Sequence, residues 1–146
     1  MKITSPAFKS NSHLPTQYTC DGNNINPPLT IGEIPAQTIS LALIVDDPDA
    51  PAGTWVHWLV WNIDPQTTNI DTNSVPDNSI EGTTSFDQPG YDGPCPPSGT
   101  HRYFFKIYAL DITLNLPVVT NKTELEKAMT DHIIDHAELV GLYSRE

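Results

Sequence analysis

Cationic side chains are scarce in this chain: seven Lys and Arg stand against eighteen Asp and Glu, for a net charge of −11 over 146 residues. Such a field repels nucleic acid and anionic membrane surfaces at long range, and no basic cluster or arm offsets it. A small anion could bind only in a local pocket that overcomes the global field. Long apolar runs are missing as well. No stretch approaches the ~20 residues of a membrane span, so no integral membrane contact is expected. The N-terminal MKITSPAFKSNSHLP lacks the apolar segment of about 7–15 residues that a signal peptide needs. The expected compartment is the cytoplasm. The two cysteines, Cys20 and Cys95, cannot make a zinc site alone and form no CxxC. In a reducing cytosol they should remain thiols, with a disulfide open if their two loops meet and the protein is exported. There is no internal repeat, no GxSxG and no GxGxxG, and no cofactor or metal is implied.

Proline, by contrast, is abundant. Its 14 residues are near twice the usual ~5%, and each fixes φ and removes a backbone donor. That density excludes a helical bundle or a coiled coil. Leu, Ile, Val and Phe make up about a quarter of the chain, above the ~20% below which chains tend to be disordered. A packed core is therefore expected, within a single domain spanning residues 1–146.

Three segments read as central strands. Ile39–Val45 is a near-continuous branched apolar run, the pattern of a strand buried on both faces. It gives way to Asp46-Asp47-Pro48-Asp49-Ala50-Pro51-Ala52-Gly53, a proline-stiffened loop. Trp55–Asn62 alternates so that Trp55, His57, Leu59 and Trp61 should share one face and Val56, Trp58 and Val60 the other. Arg102–Leu110 is the third. Residues 64–100 are loop-rich. One helix is expected, from about Thr123 to Glu138. Thr123 and Glu126 form a capping-box pattern, apolar positions recur at helical spacing, and Gly141 follows as a terminator. The pattern is a mostly antiparallel β domain with one late helix.

Polar groups interrupt or abut these strands where core residues are expected. Asp46, Asp47 and Asp49 end the first, His57 lies inside the second among tryptophans, and His101 opens the third. Each alone has a plain structural reading, as a turn aspartate or a satisfied core histidine. Together they make natural partners for one another, since buried polar groups need them, and beside two proline-stiffened loops such a cluster resembles a pocket with a few convergent polar groups. The loop Gly93-Pro94-Cys95-Pro96-Pro97-Ser98-Gly99-Thr100 fails as a phosphate-binding P-loop in spacing and in its missing lysine. Its remaining N–H groups suit one phosphoryl or carboxylate group. His132 and His136, four apart on the expected helix, resemble a zinc motif, but the Glu is replaced and no third ligand is evident. They read as flanks of the apolar stripe. Cys95 near His101 is a weak candidate for a thiol nucleophile.

Asp47-Pro48-Asp49-Ala50-Pro51, then Trp55-Val56-His57-Trp58, then Gly93-Pro94 through Pro96-Pro97 to His101-Arg102-Tyr103 resemble, in order and spacing, the phosphatidylethanolamine-binding proteins, also called Raf kinase inhibitor-like. The likeness covers residues 40–110 and extends, more weakly, over the chain to Leu142-Tyr143-Ser144-Arg145. The GPCPPSGTHRY form looks like the bacterial and archaeal branch. The resemblance implies a mainly β fold, a two-sheet antiparallel β-sandwich with small helices, and a shallow anion pocket for phosphate or phosphoethanolamine-like head groups. It carries Asp47, His57 and His101 into that pocket, with Gly93, Pro94 and Pro97 as its wall, Asp49, Trp55 and Tyr103 as supporting or lining groups, and Tyr143 as counterpart of a closing C-terminal segment. Asp47 is expected to orient a histidine and raise its pKa. Regulation of a kinase or protease partner is known for eukaryotic members and is an alternative role. A phosphoester hydrolase using His57 and His101 as acid and base is another. The chemistry favours binding over catalysis. The oligomeric state, monomer or homodimer, is left open.

Overall fold

The computed structural model describes residues 1–145. Proline and turn residues cut the first forty residues into short pieces: β1 (Lys2–Thr4), β2 (Ser12–His13), a 3₁₀ turn at Thr16–Tyr18, and β3 (Leu29–Gly32). The long strands follow where the apolar runs were read: β4 (Ser40–Asp47), β5 (Trp55–Ile63) and β8 (His101–Leu110), with short β6 (Asn69–Ile70) and β7 (Ile80–Glu81) between them. The chain closes with α1 (Lys122–Met129) and β9 (Ile133–Tyr143).

The strands make two sheets, a small one ordered β1-β3-β6 and a six-stranded one ordered β2-β9-β8-β4-β5-β7. Pairing is antiparallel except where β2 runs parallel to β9. The first face of the large sheet packs on the small one. Leu41, Leu43, Val45, Phe105 and Ile107 there meet Ile3, Leu29, Ile31 and Ile70. On the reverse face Ala42, Ile44, Leu59, Trp61 and Leu110 pack beneath Leu125 and Met129 of α1. Because both faces of β4 are covered, all eight of its residues are buried, as its unbroken apolar run requires.

Two irregularities re-aim β5. Its register against β4 shifts between Leu41 and Leu43 and again between Val45 and Asp46, where Trp58 opposes Val45 but Val56 opposes Asp46. His57 is thus the extra residue of a β-bulge. Asn62, at φ 56°, sits in the other. Alternation holds from Trp58 to Trp61, with Leu59 and Trp61 facing α1 and Trp58 and Val60 in the sandwich core, but breaks at the bulge: Val56 packs with Leu59 and Trp61 and not with Trp58 and Val60.

The late helix is shorter than its periodicity suggests. Asn121 caps it, accepting from the Glu124 N–H at 2.9 Å while Glu124 accepts from the Asn121 N–H, so the capping box is Asn121–Glu124 and not Thr123–Glu126. Thr130 ends it, and Asp131 at φ 69° turns the chain. Residues 133–143 then form the longest strand and pair with β8 from His101↔Tyr143 to Leu110↔Ile133. Tertiary pairing over ten residues outweighs a local helical pattern. Gly141 is no terminator but a strand residue, where a Cβ would meet Leu14 at 2.8 Å. His132 and His136 share no helical face: His132 lies in the turn, on Asp111 at 2.8 Å, and His136 lies in β9 beside the Tyr108 ring.

The expected free thiols are overturned. Cys20 and Cys95 form a disulfide, and the backbone beside it is also joined, Cys20 N–H donating to the Pro94 carbonyl at 3.1 Å. The thiol expectation followed from the cytoplasmic assignment, and a disulfide belongs more naturally to an oxidising environment. No helix among the described residues is long and apolar enough to cross a membrane. The crosslink spans 75 positions, a long loop whose closure restricts the unfolded chain. Reduction, or the double replacement Cys20→Ser/Cys95→Ser, should lower unfolding free energy by about 2–4 kcal/mol in urea titrations. Finding two reactive thiols in unreduced, denatured protein would contradict this.

Candidate functional site

The ends of β4, β5 and β8 meet at one edge of the large sheet, and the polar interruptions of all three strands meet with them. A cavity of about 230 Å³ opens there. Asp47, His57, His101 and Tyr103 supply its polar lining, with Ala50, Pro51, Trp55, Phe86, Pro96 and Pro97 around them and Cys95 in the wall. A larger recess of about 600 Å³ lies along residues 64–78, but no histidine or cationic side chain lines it.

Asp47 is fixed at both carboxylate oxygens. Oδ1 accepts the Asp49 N–H at 2.8 Å, which tightens the turn after β4, and Oδ2 lies 2.7 Å from His101 Nδ1. Both partners are buried. His57 is held differently from the expectation. Its Nδ1 lies 2.6 Å from the Asp92 carbonyl oxygen, so a backbone group and not Asp47 orients it. Burial pushes the His57 pKa below its ordinary value, outweighing the Asp92 carbonyl and the charges of Asp47, Asp92 and Asp46. For His57 the expected increase is overturned: Asp47 reaches it only through its charge. Tyr103 stands between the imidazoles, edge-on to His57 at 5.3 Å and stacked near His101 at 6.4 Å between ring centroids. Burial first, and then the Asp47 charge, push its hydroxyl pKa well up, so Tyr103 stays neutral.

The remaining candidates divide between wall, rim and scaffold. Trp55 and Pro97 line the cavity. Gly93 and Pro94 lie behind it: the Gly93 N–H donates to Asn24 Oδ1 at 2.8 Å, and a Cβ at Gly93 would collide with the Tyr18 carbonyl. Asp49 is at the rim, doubly bonded to the Arg102 guanidinium, which holds its carboxyl down to about 2. Asp46 points away, to the α1 face, and pairs with Lys106 and Lys122 at 3.1 and 2.9 Å. Tyr143 does not line the cavity. It pairs across the ladder with His101, and its hydroxyl donates to Asp21 at 2.7 Å. Sequence reasoning passed over Phe86, which packs edge-on to both Trp55 and His57, and Asp92, whose carbonyl sets the His57 tautomer. Both lie in the patternless loop region, where nothing in the sequence marked them.

The phosphatidylethanolamine-binding protein family profile matches residues 4–144, nearly the full chain. The chain belongs to this family. Among its relatives within the family, a UPF0098 protein of Methanothermobacter thermautotrophicus is 45% identical over 150 residues, with 99% of each chain covered. The UPF0098 protein PH1269 of Pyrococcus horikoshii is 48% identical, covering all of this chain and 77% of its own length. Among solved structures, the family homologue CT736 from Chlamydia trachomatis superposes with a TM-score of 0.95 at 39% identity, over 99% of this chain and 97% of that one. The E. coli protein YbcL, a new member of the mammalian PEBP family, gives 0.93 at 29% identity, over 99% and 98%. The two-sheet β architecture read from the strands is therefore this family's fold.

The depressed His57 pKa makes the site acid-sensitive. The folded state holds fewer protons on His57 than the unfolded chain, whose His titrates near 6.5. Stability from a neutral His57 is therefore fully present above about pH 6.5 and is lost as pH falls through the lower folded value. In thermal melts, His57→Gln should flatten the loss of Tm on going from about pH 7 to pH 5. An identical acid slope in wild type and variant would count against this.

Proposed function

We propose that this protein binds small phosphorylated anions, phosphate or phosphoethanolamine-like head groups, without transforming them. One observation supports the reading above others: two buried imidazoles and a carboxylate converge at the base of one apolar-walled cavity. With each Nδ1 already on an oxygen acceptor, Nε2 is the nitrogen left for a phosphoryl oxygen, as a donor when the ring is protonated. Asp47 fixes the ring of His101 from 2.7 Å, and the short turn to Asp49 holds Asp47 in place. The proline-rich wall, tied down by the Cys20–Cys95 disulfide, keeps the cavity open without spending conformational freedom on binding.

Binding is favoured over hydrolysis by what the lining offers. No serine is among the lining residues, and Cys95, the one sulfur in the wall, is committed to the disulfide. An attacking group would have to come from solvent, and the site holds no activated nucleophile of its own.

Calorimetric titration with inorganic phosphate and with phosphoethanolamine tests the reading. His57→Ala and His101→Ala should each weaken binding by roughly 1.5–3 kcal/mol, the scale of a hydrogen bond to a charged group. His132→Ala, in the turn before β9, should leave it unchanged. Wild-type binding by both pocket variants would exclude the site, and steady release of phosphate from a generic phosphoester, lost in those variants, would replace binding by catalysis.

A further inference from the structure

A second hollow lies away from the cavity at the strand ends and shares no lining residue with it. It measures about 220 Å³ and sits where the β5–β7 edge meets residues 24–26 and the loop at 73–75. Trp58 of β5 and Tyr91 make its aromatic floor, packed edge to face at 5.6 Å between ring centroids. Glu81 of β7 stands beside them, half-buried, and its Oε2 accepts the Trp58 indole N–H at 2.7 Å. A carboxylate set against aromatic rings calls for a counter-charge, yet no Lys, Arg or His lines the hollow.

Most donors around this carboxylate are committed elsewhere. Asn24 Nδ2 donates to Asp92 Oδ1 at 2.8 Å. Asn26, itself buried, donates from Nδ2 to the Pro27 and Asp71 carbonyls at 3.2 and 3.0 Å. The Tyr91 hydroxyl donates to the Tyr18 carbonyl at 2.7 Å, and the indole N–H is spent on Glu81. Acceptors remain. Asn24 Oδ1 and Asn26 Oδ1 each accept one backbone N–H, from Gly93 and Ser74, and an amide oxygen has a second lone pair. Glu81 Oε1 has no partner among the described residues. Asn73 and Ser74, which could donate, are exposed at the rim.

A hollow with spare acceptors and one uncompensated negative charge is matched by a ligand with several donors and one positive charge. Ile25 and Val75 complete the lining and suit a short apolar stem. The volume is below the ~300 Å³ at which drug-sized sites begin, so the stem is small. The net charge of −11 draws cations to the surface at long range.

We propose that this hollow binds a small primary ammonium. Glu81 Oε1 and the amide oxygens of Asn24 and Asn26 accept its N–H groups, and its stem lies on Trp58 and Tyr91. The site is separate from the anion cavity and does not rest on the binding reading above.

The test is a matched series added to the wild-type protein at about pH 7, where an alkylamine is protonated: n-butylammonium, n-butanol and n-butyltrimethylammonium. The alcohol keeps the stem without the charge, and the trimethyl salt keeps the charge without N–H groups. Binding is followed by heteronuclear NMR at the Trp58 indole N–H, which reports directly on Glu81. n-Butylammonium should shift that resonance saturably and bind at least about tenfold tighter than either analogue, the scale of a lost charge-assisted hydrogen bond. Glu81→Gln, whose amide oxygen can still accept from the indole, should abolish the saturable shift. Val75→Lys, at an exposed position where the fold tolerates the change, should abolish it too by supplying an ammonium from the protein itself. A shift that does not saturate, equal affinities across the series, or wild-type binding by either variant overturns the proposal.

Discussion

Strand β4 is the constraint on which the rest of the structure depends. It is hydrogen-bonded to a neighbour on each side and packed on each face, so all eight of its residues are buried. A strand so placed must be apolar along its length, and its first polar side chains must find partners at once. Asp46 and Asp47 are adjacent, so they point to opposite faces. One reaches the lysines on the α1 side and the other reaches His101. The position of the cavity follows from that divergence. Only the Asp47 face, at the end where β5 and β8 also begin, brings buried polar groups toward an opening.

The acidity of the chain shapes the site as much as the strands do. Lys2, Arg102, Lys106, Lys122 and Arg145 are all engaged by carboxylates elsewhere. The exposed pairs contribute little to stability, yet with the Asp46 pairs they occupy five of the seven Lys and Arg of a protein with a net charge of −11. No Lys or Arg lines the cavity, so imidazole is the one side chain there that can carry positive charge. The apolar collar strengthens this dependence, since a poorly solvated cavity magnifies each charge it contains.

The wall opposite the sheet is made rigid by several means. The Cys20–Cys95 crosslink, the Cys20–Pro94 backbone bond and the Asn24 side chain, which accepts from Gly93 N–H and donates to Asp92, hold it to the N-terminal segment. Asp21, next to the disulfide, in turn accepts from Tyr143 and Arg145. The C-terminal strand therefore braces the wall from behind and does not close over the cavity.

The strands β4, β5 and β8 were legible in the sequence because burial on both faces forces an unmistakable run of branched and aromatic residues. Proline density excluded bundles for an equally local reason, since each proline removes a donor and fixes a torsion. Asp47, His57 and His101 stood out because polar groups in such runs demand partners. The β-bulge at His57 was not legible, because register is set by the partner strand and not by the strand's own alternation. Nor was β9, whose residues carry a helical pattern locally and became a strand through pairing with β8. The disulfide was missed because two cysteines 75 residues apart meet only once the wall folds onto the N-terminal turn. The tautomer of His57 belongs to the same class: it is fixed by a backbone carbonyl in a loop without pattern. The sequence by itself determined which residues must be buried and which buried ones must be polar, because those are properties of single side chains in water. Tertiary structure alone decided which polar group faces which, because hydrogen-bond partners distant in the chain are chosen by packing.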